Sequence, residues 1–189
     1  MHDGPLDMRM SSEGKSAKDI IDTYSENELA EIFFKYGEEK LSKVIAKKIK
    51  SKNESIKTTL ELVEVIKEAT GANYFYKQHP ERKIFQALRI EVNEELTVLE
   101  KVLPDAIKRL KVGGRMCVIT FHSLEDRIVK NVFKKYSDID PLVKGLKEIP
   151  DAYKPLIKLV NKKPILPTKK ELEENSRSRS AKLRVIERI

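Results

Sequence analysis

Between His122 and Arg127 the chain gathers an imidazole, a hydroxyl, two carboxylates and a guanidinium: His122, Ser123, Glu125, Asp126 and Arg127. Such groups can take up a proton, hold a nucleophilic amine or grip a phosphate. The apolar run Met116–Ile119 before them has the length and composition of a buried strand. After them, Ile128, Val129, Val132, Phe133 and Tyr136 recur at helical spacing. The cluster therefore falls where a strand hands over to a helix. In an open α/β sheet the crevice at the carboxyl ends of strands is where ligands bind. A simple helix cap, Ser123 with Asp126, accounts for those two residues and leaves His122 and Arg127 without a reason. A binding or catalytic edge accounts for all of them.

Three further groupings have two readings each. Asp3-Gly-Pro-Leu-Asp-Met-Arg9 sets two carboxylates and a guanidinium on a turn stiffened by Gly4-Pro5. It could hold a ligand or accept a proton, and a charged tail would look the same. Asn175-Ser-Arg-Ser-Arg-Ser180 interleaves Arg177 and Arg179 with serines, either as a phosphate anchor or as a polar loop. Residues 40–57 hold seven lysines against one acid, Glu54, which suits a helix tracking a nucleic-acid backbone or a solvated face. The aromatic cluster Tyr74–Tyr76 could stack on bases or fill a gap between helices. His2, His79 and His122 are too scattered to suggest a metal, and a single cysteine, Cys117, excludes an internal disulfide. Gly113-Gly114 follows a helix and precedes a strand, the reverse of the order that cradles a nucleotide. No primary cofactor-binding loop is expected from the glycines.

The elements that must position these groups are mostly helical. Ser16 with Asp19, Ser25 with Glu28 and Thr58 with Glu61 have capping-box spacing and predict helix starts near 17, 26 and 59. Gly37 suits a left-handed cap and Gly71 closes the third stripe. A loop is predicted over Tyr74–Pro80, then a long helical pattern from Phe85 to Leu110 with a kink or restart at Pro104. Arg115–Phe121 and Leu183–Arg188 read as strands, with five of the eight prolines in the irregular stretch between. Helix–strand alternation favours parallel neighbours, and two strands do not make a stable sheet. At 40% hydrophobic and 36% charged, with a net charge of +8, the chain suits a polyanionic partner. It has no apolar run able to span a membrane and no secretory signal, and a cytoplasmic location is expected.

Taken in order, His2-Asp-Gly-Pro-Leu-Asp-Met-Arg-Met10, Tyr36-Gly-Glu-Glu39, Phe85-Gln-Ala-Leu-Arg-Ile-Glu-Val-Asn-Glu-Glu-Leu96, Gly113-Gly-Arg115, Phe121-His-Ser-Leu-Glu-Asp-Arg-Ile-Val-Lys130 and Ser178-Arg-Ser-Ala-Lys-Leu-Arg184 resemble the bacterial 16S ribosomal RNA cytosine-N4 methyltransferases. The resemblance covers nearly the whole chain. It implies an S-adenosylmethionine-dependent enzyme of α/β class, here the C-terminal part of a Rossmann-like methyltransferase domain with an inserted all-helical substrate domain. Residues 1–15 would be a remnant loop of the methyltransferase domain, 16–80 the helical insertion and 81–189 the C-terminal half. The family places its glycine-rich cofactor loop before the Asp-Gly-Pro motif, which starts at residue 3 in this sequence. The expectation is a truncated or split enzyme, inactive alone, with Met1 standing where the family often has an internal methionine. Ser176 stands where the family usually has proline.

The resemblance also assigns roles. Asp3 or Asp7 would contact the cytosine amine or the cofactor edge, and His122, Ser123 and Asp126 would line the cytosine pocket. Arg9, Arg127, Arg177 and Arg179 would hold phosphates, while Lys43, Lys47 and Lys50 guide the RNA. Partners would be 16S ribosomal RNA in the small ribosomal subunit, and a missing N-terminal half or a second copy. Two other readings stay open: a catalytically silent RNA-binding piece, or one subunit of a two-chain methyltransferase.

Overall fold

The computed structural model describes residues 2–189, so Met1 lies outside the described residues. The chain forms two compact units, Met1–Glu95 and Leu96–Ile189.

The first unit is helical: α1 (Ala17–Thr23), α2 (Glu26–Lys35), α3 (Ser42–Lys50), α4 (Thr59–Thr70), α5 (Ala72–Gln78) and α6 (Pro80–Asn93). The helices α1, α2 and α4 start at the predicted capping boxes. The side chains of Ser16, Ser25 and Thr58 accept from the Asp19, Glu28 and Glu61 amides, and each carboxylate reciprocates on the cap amide. Ile20, Leu29, Phe33, Ile45, Leu62, Ile66, Ile84 and Leu88 are fully buried and form one core. The N-terminal segment is stitched into this unit. Leu6 is buried, its amide donates to the Lys57 carbonyl at 3.1 Å, and the Thr59 amide donates to the Gly4 carbonyl at 2.9 Å.

Three expectations fail here. The stretch predicted as a loop over Tyr74–Pro80 is the helix α5, followed at once by α6. Phe75 is its buried anchor. The long helical pattern breaks not at Pro104 but at Glu94, whose left-handed φ of 49° separates α6 from α7 (Glu95–Arg109). Pro104 stays inside α7. The bond its missing N–H forfeits is the one to the carbonyl of Glu100, an exposed residue where water can serve. Gly37 does not take the left-handed conformation, which falls on Glu38 at φ 51°. Gly37 is instead a close-approach site. A Cβ there would lie 2.6 Å from the Phe33 carbonyl oxygen and 2.8 Å from that of Lys83, so only a bare Cα lets the end of α2 pass α6.

The second unit contains β1 (Arg115–Thr120), α8 (Ser123–Ser137), β2 (Ile157–Leu159), α9 (Lys169–Glu174) and β3 (Lys182–Arg188). The sheet is β1-β3-β2 and antiparallel throughout, with Arg115 opposite Glu187 and Thr120 opposite Lys182. This corrects the expectation of two strands with parallel neighbours. The last strand enters between the other two, and β2, only three residues long within the proline-rich stretch, gave no alternating pattern to read. One face of the sheet is covered by helices: Leu103 and Ile107 of α7, Val129 and Phe133 of α8, and Ile157 and Ile186 form a separate core. On the other face Cys117 and Ile119 are exposed.

No helix among the described residues is long and apolar enough to cross a membrane.

Candidate active-site residues

The strand-end motif lies at the turn from β1 into α8, and its geometry differs from the predicted cap by one residue. His122, with extended φ and ψ of −144° and 169°, is the N-cap. Its Nδ1 accepts from the Glu125 amide at 3.4 Å, while the Glu125 carboxylate accepts from the Phe121 amide at 2.7 Å. The other Glu125 oxygen lies 3.5 Å from His122 Nε2. The first amides of a helix have no partner inside it, and negative charge is favoured beside them. His122 meets the first demand by accepting from the Glu125 amide and the Glu125 carboxylate meets the second, which leaves the imidazole locked, with its side chain only 8% exposed. Ser123, predicted as the cap, is exposed beside it.

Asp126 faces the sheet. Its carboxylate accepts from Arg184 Nε at 2.7 Å and Nη2 at 3.2 Å, and Lys182 Nζ lies 3.4 Å away. The Arg184 hydrogen bond outweighs partial burial and holds the Asp126 carboxyl below the usual carboxylate range. Asp126 thus fixes the first turn of α8 to β3. Arg127 is exposed on α8. Arg177 and Arg179 are exposed on a short 3-10 turn, Ser176–Ser180. The buried Ser178 hydroxyl donates to the Asn175 carbonyl at 2.8 Å, and the Asn175 side chain accepts from the Arg177 amide at 3.2 Å. The turn that carries both arginines is therefore anchored from within.

In the first unit, Asp3 sits at the start of α4. The Thr58 side chain and the Leu60 amide hold its carboxyl below the usual range. Asp7 and Arg9 form a two-pronged ion pair at 2.6 Å and 2.9 Å, with Arg9 holding Asp7 ionised. Lys43 and Lys47 are exposed on α3. Lys50 is not a free cation, because its ammonium donates to the carbonyls of Ile21 and Asp22 at the end of α1.

Sequence reasoning passed over one residue with unusual surroundings. Glu39 is completely buried and receives the Tyr74 hydroxyl at 2.5 Å, the Leu41 amide at 2.9 Å and Lys83 Nζ at 3.1 Å. Burial pushes its carboxyl up, but these three donors together hold it below the usual range. The only signal was the Tyr36-Gly-Glu-Glu39 motif, because the partners lie 35 and 44 residues away.

The model of the MraW methylase family matches residues 1–189. The chain belongs to this family. MraW methylases are S-adenosylmethionine-dependent methyltransferases, so the strand-end motif and the Asp3–Arg9 turn belong to an enzyme of methyl transfer. The β1–α8 junction of this MraW methylase does not itself fit the cofactor. A dinucleotide or nucleoside cradle of this kind needs a glycine for close backbone approach and a carboxylate for the ribose hydroxyls. The junction Phe121–Ser123 has no glycine, and Glu125 and Asp126 are committed to the helix N-terminus and to Arg184.

Proposed function

We propose that this MraW methylase takes part in methylating the N4 amine of a cytosine in the 16S ribosomal RNA of the small subunit, in the cytoplasm, and that it carries the acceptor side of the reaction. The observation that carries this reading is the buried His122 ring, fixed by Glu125 at the end of a strand within a family of methyltransferases. An exocyclic amine is a poor nucleophile because its lone pair is delocalised into the ring. Alignment then matters most, and is worth up to about 7–11 kcal/mol in favourable cases. The base must also leave its stack to reach a pocket.

In this reading His122 and Ser123 line the cytosine pocket, and Asp126 supports it from behind through Arg184. Of the two N-terminal carboxylates, Asp7 is assigned to the amine or the cofactor edge, since the Asp3 carboxylate already serves the start of α4. Asp7 is nearly half exposed and can accept a further hydrogen bond while keeping Arg9. Arg9, Arg127, Arg177 and Arg179 hold phosphates, and Lys43 and Lys47 steer the RNA. The first unit serves as the helical substrate domain and the second as part of a Rossmann-like domain whose cofactor loop is supplied outside these residues.

A second reading makes the chain one subunit of a two-chain methyltransferase. It is favoured by β1, which among the described residues pairs with β3 alone and leaves Ile119 and Phe121 more than half exposed. Both readings predict that S-adenosylmethionine titrated into the purified chain gives no heat of binding, and a micromolar Kd would contradict them. Asp7→Ala and His122→Ala, placed at the matching positions of a full-length relative, should each lower the methylation rate at least tenfold. Unchanged rates in both would defeat the assignment.

A further inference from the structure

The net positive charge of this protein is not in the unit that carries its lysine-rich helix. Residues 96–189 carry 22 lysines and arginines against 12 acids, a net of +10, whereas residues 1–95 carry 16 against 18, a net of −2. Around α3, Lys48 and Lys52 both pair with Glu68, and Lys50 holds the end of α1. The larger net attraction for a polyanion therefore lies in the second unit, with Lys43 and Lys47 of α3 a smaller contribution from the first.

That unit has an open cleft of about 1100 Å³ between the C-terminal half of α8 and the turn-rich segment 139–156. Lys134, Lys135 and Lys144 line it, and among the described residues no carboxylate pairs with any of the three. Lys154, also in the lining, pairs with Asp151. Asp138 and Asp140 face the same space: the Asp140 carboxylate accepts from the Leu142 amide at 2.9 Å and that of Asp138 from the Ser137 hydroxyl at 3.4 Å, and among the described residues neither pairs with a lysine. Tyr153 lies among the lysines with 41% of its surface exposed.

We propose that this cleft binds a single-stranded stretch of RNA that flanks the target nucleotide at the opposite end of α8, with Tyr153 stacked on a base and Lys134, Lys135 and Lys144 on the phosphates. The proposal rests on the RNA-methylation reading. It selects single strands because a tyrosine ring can stack only on a base whose face is free. An A-form duplex hides those faces and offers phosphates and 2′-hydroxyls instead.

Fluorescence anisotropy with a labelled, unstructured 12-nucleotide RNA and with a duplex of the same length tests this on the full chain. The triple variant Lys134→Ala, Lys135→Ala, Lys144→Ala should flatten the slope of log Kd against log salt by roughly 2, at about 0.7 per phosphate contact on a single strand. Tyr153→Ala should weaken binding about tenfold, within the range for one lost base stack, and Tyr153→Phe should bind as the parent does. A control triple of exposed lysines in the same unit, Lys101→Ala, Lys111→Ala, Lys162→Ala, should lose less than threefold. Equal loss in the control, unchanged binding in the cleft variants, or preference for the duplex overturns the cleft while leaving RNA binding intact. Absence of binding by the parent chain to either RNA defeats the RNA reading itself.

Discussion

The Arg184 guanidinium holds the Asp126 carboxylate at 2.7 Å and 3.2 Å, tying the last strand to the first turn of α8. Both side chains are at least 85% buried, so the pair lies where water screens little. Removing Asp126 leaves the Arg184 charge without compensation, and removing Arg184 leaves Asp126 only the more distant and more exposed Lys182.

Asp126→Ala or Arg184→Ala is therefore expected to cost about 3–5 kcal/mol, and the double variant clearly less than the sum. Urea unfolding of the four proteins gives the coupling. Additive losses would show that the pair does not act as a unit.

The same pair predicts a pH dependence. The folded Asp126 carboxyl titrates below its unfolded value of about 3.9, so its stabilisation is fully present above that pH and fades as pH falls through the folded value. Stability of the parent should drop below about pH 4 more steeply than that of Asp126→Asn, measured by denaturant midpoints across pH.

His122 has a structural duty that can be separated from a chemical one. His122→Ala removes the α8 cap and should cost about 0.5–2 kcal/mol, whereas His122→Asn keeps a capping acceptor and should restore most of it. Methylation in the assembled enzyme should stay low in both, because asparagine supplies no imidazole. Recovery of activity with asparagine would reduce His122 to a cap.

Much of the helical unit was legible because its signals are local. A capping box needs only residues three apart, so Ser16, Ser25 and Thr58 marked their helices from the sequence. The misses are of other kinds. Glu94 adopts a left-handed backbone that its residue type does not announce. The α5 helix is short, opens on Gly71 and carries three aromatic residues of middling helix propensity. The antiparallel entry of β3 between β1 and β2 depends on pairing across more than sixty residues, which periodicity cannot encode. At the candidate site, sequence identified the strand-to-helix junction and its residue types. It did not show that Glu125, rather than Asp126, closes the helix, since both lie at capping distance from a polar residue. Nor did it show that Lys50 is held by carbonyls of α1.

Glu39 offers a test of the first unit by itself. Glu39→Gln keeps the shape but loses the charge that faces Lys83, and should cost about 1.5–3 kcal/mol in denaturant unfolding. Burial and the Glu39 carboxylate push the Tyr74 hydroxyl up to about 12. The Glu91 carboxylate, which accepts the Tyr24 hydroxyl at 2.6 Å, likewise pushes Tyr24 up to about 12. Ultraviolet titration of the parent should therefore show two of the six tyrosines still protonated at pH 11, and Tyr74→Phe only one. The same number in Tyr74→Phe as in the parent would contradict the Glu39–Tyr74 contact.

The most direct measurement is the content of N4-methylated cytidine in 16S ribosomal RNA from the native host, with and without this coding sequence, by nucleoside mass spectrometry. The account predicts that deletion removes an N4-methylated cytidine, that the parent sequence restores it, and that His122→Ala does not. An unchanged nucleoside profile after deletion would contradict it.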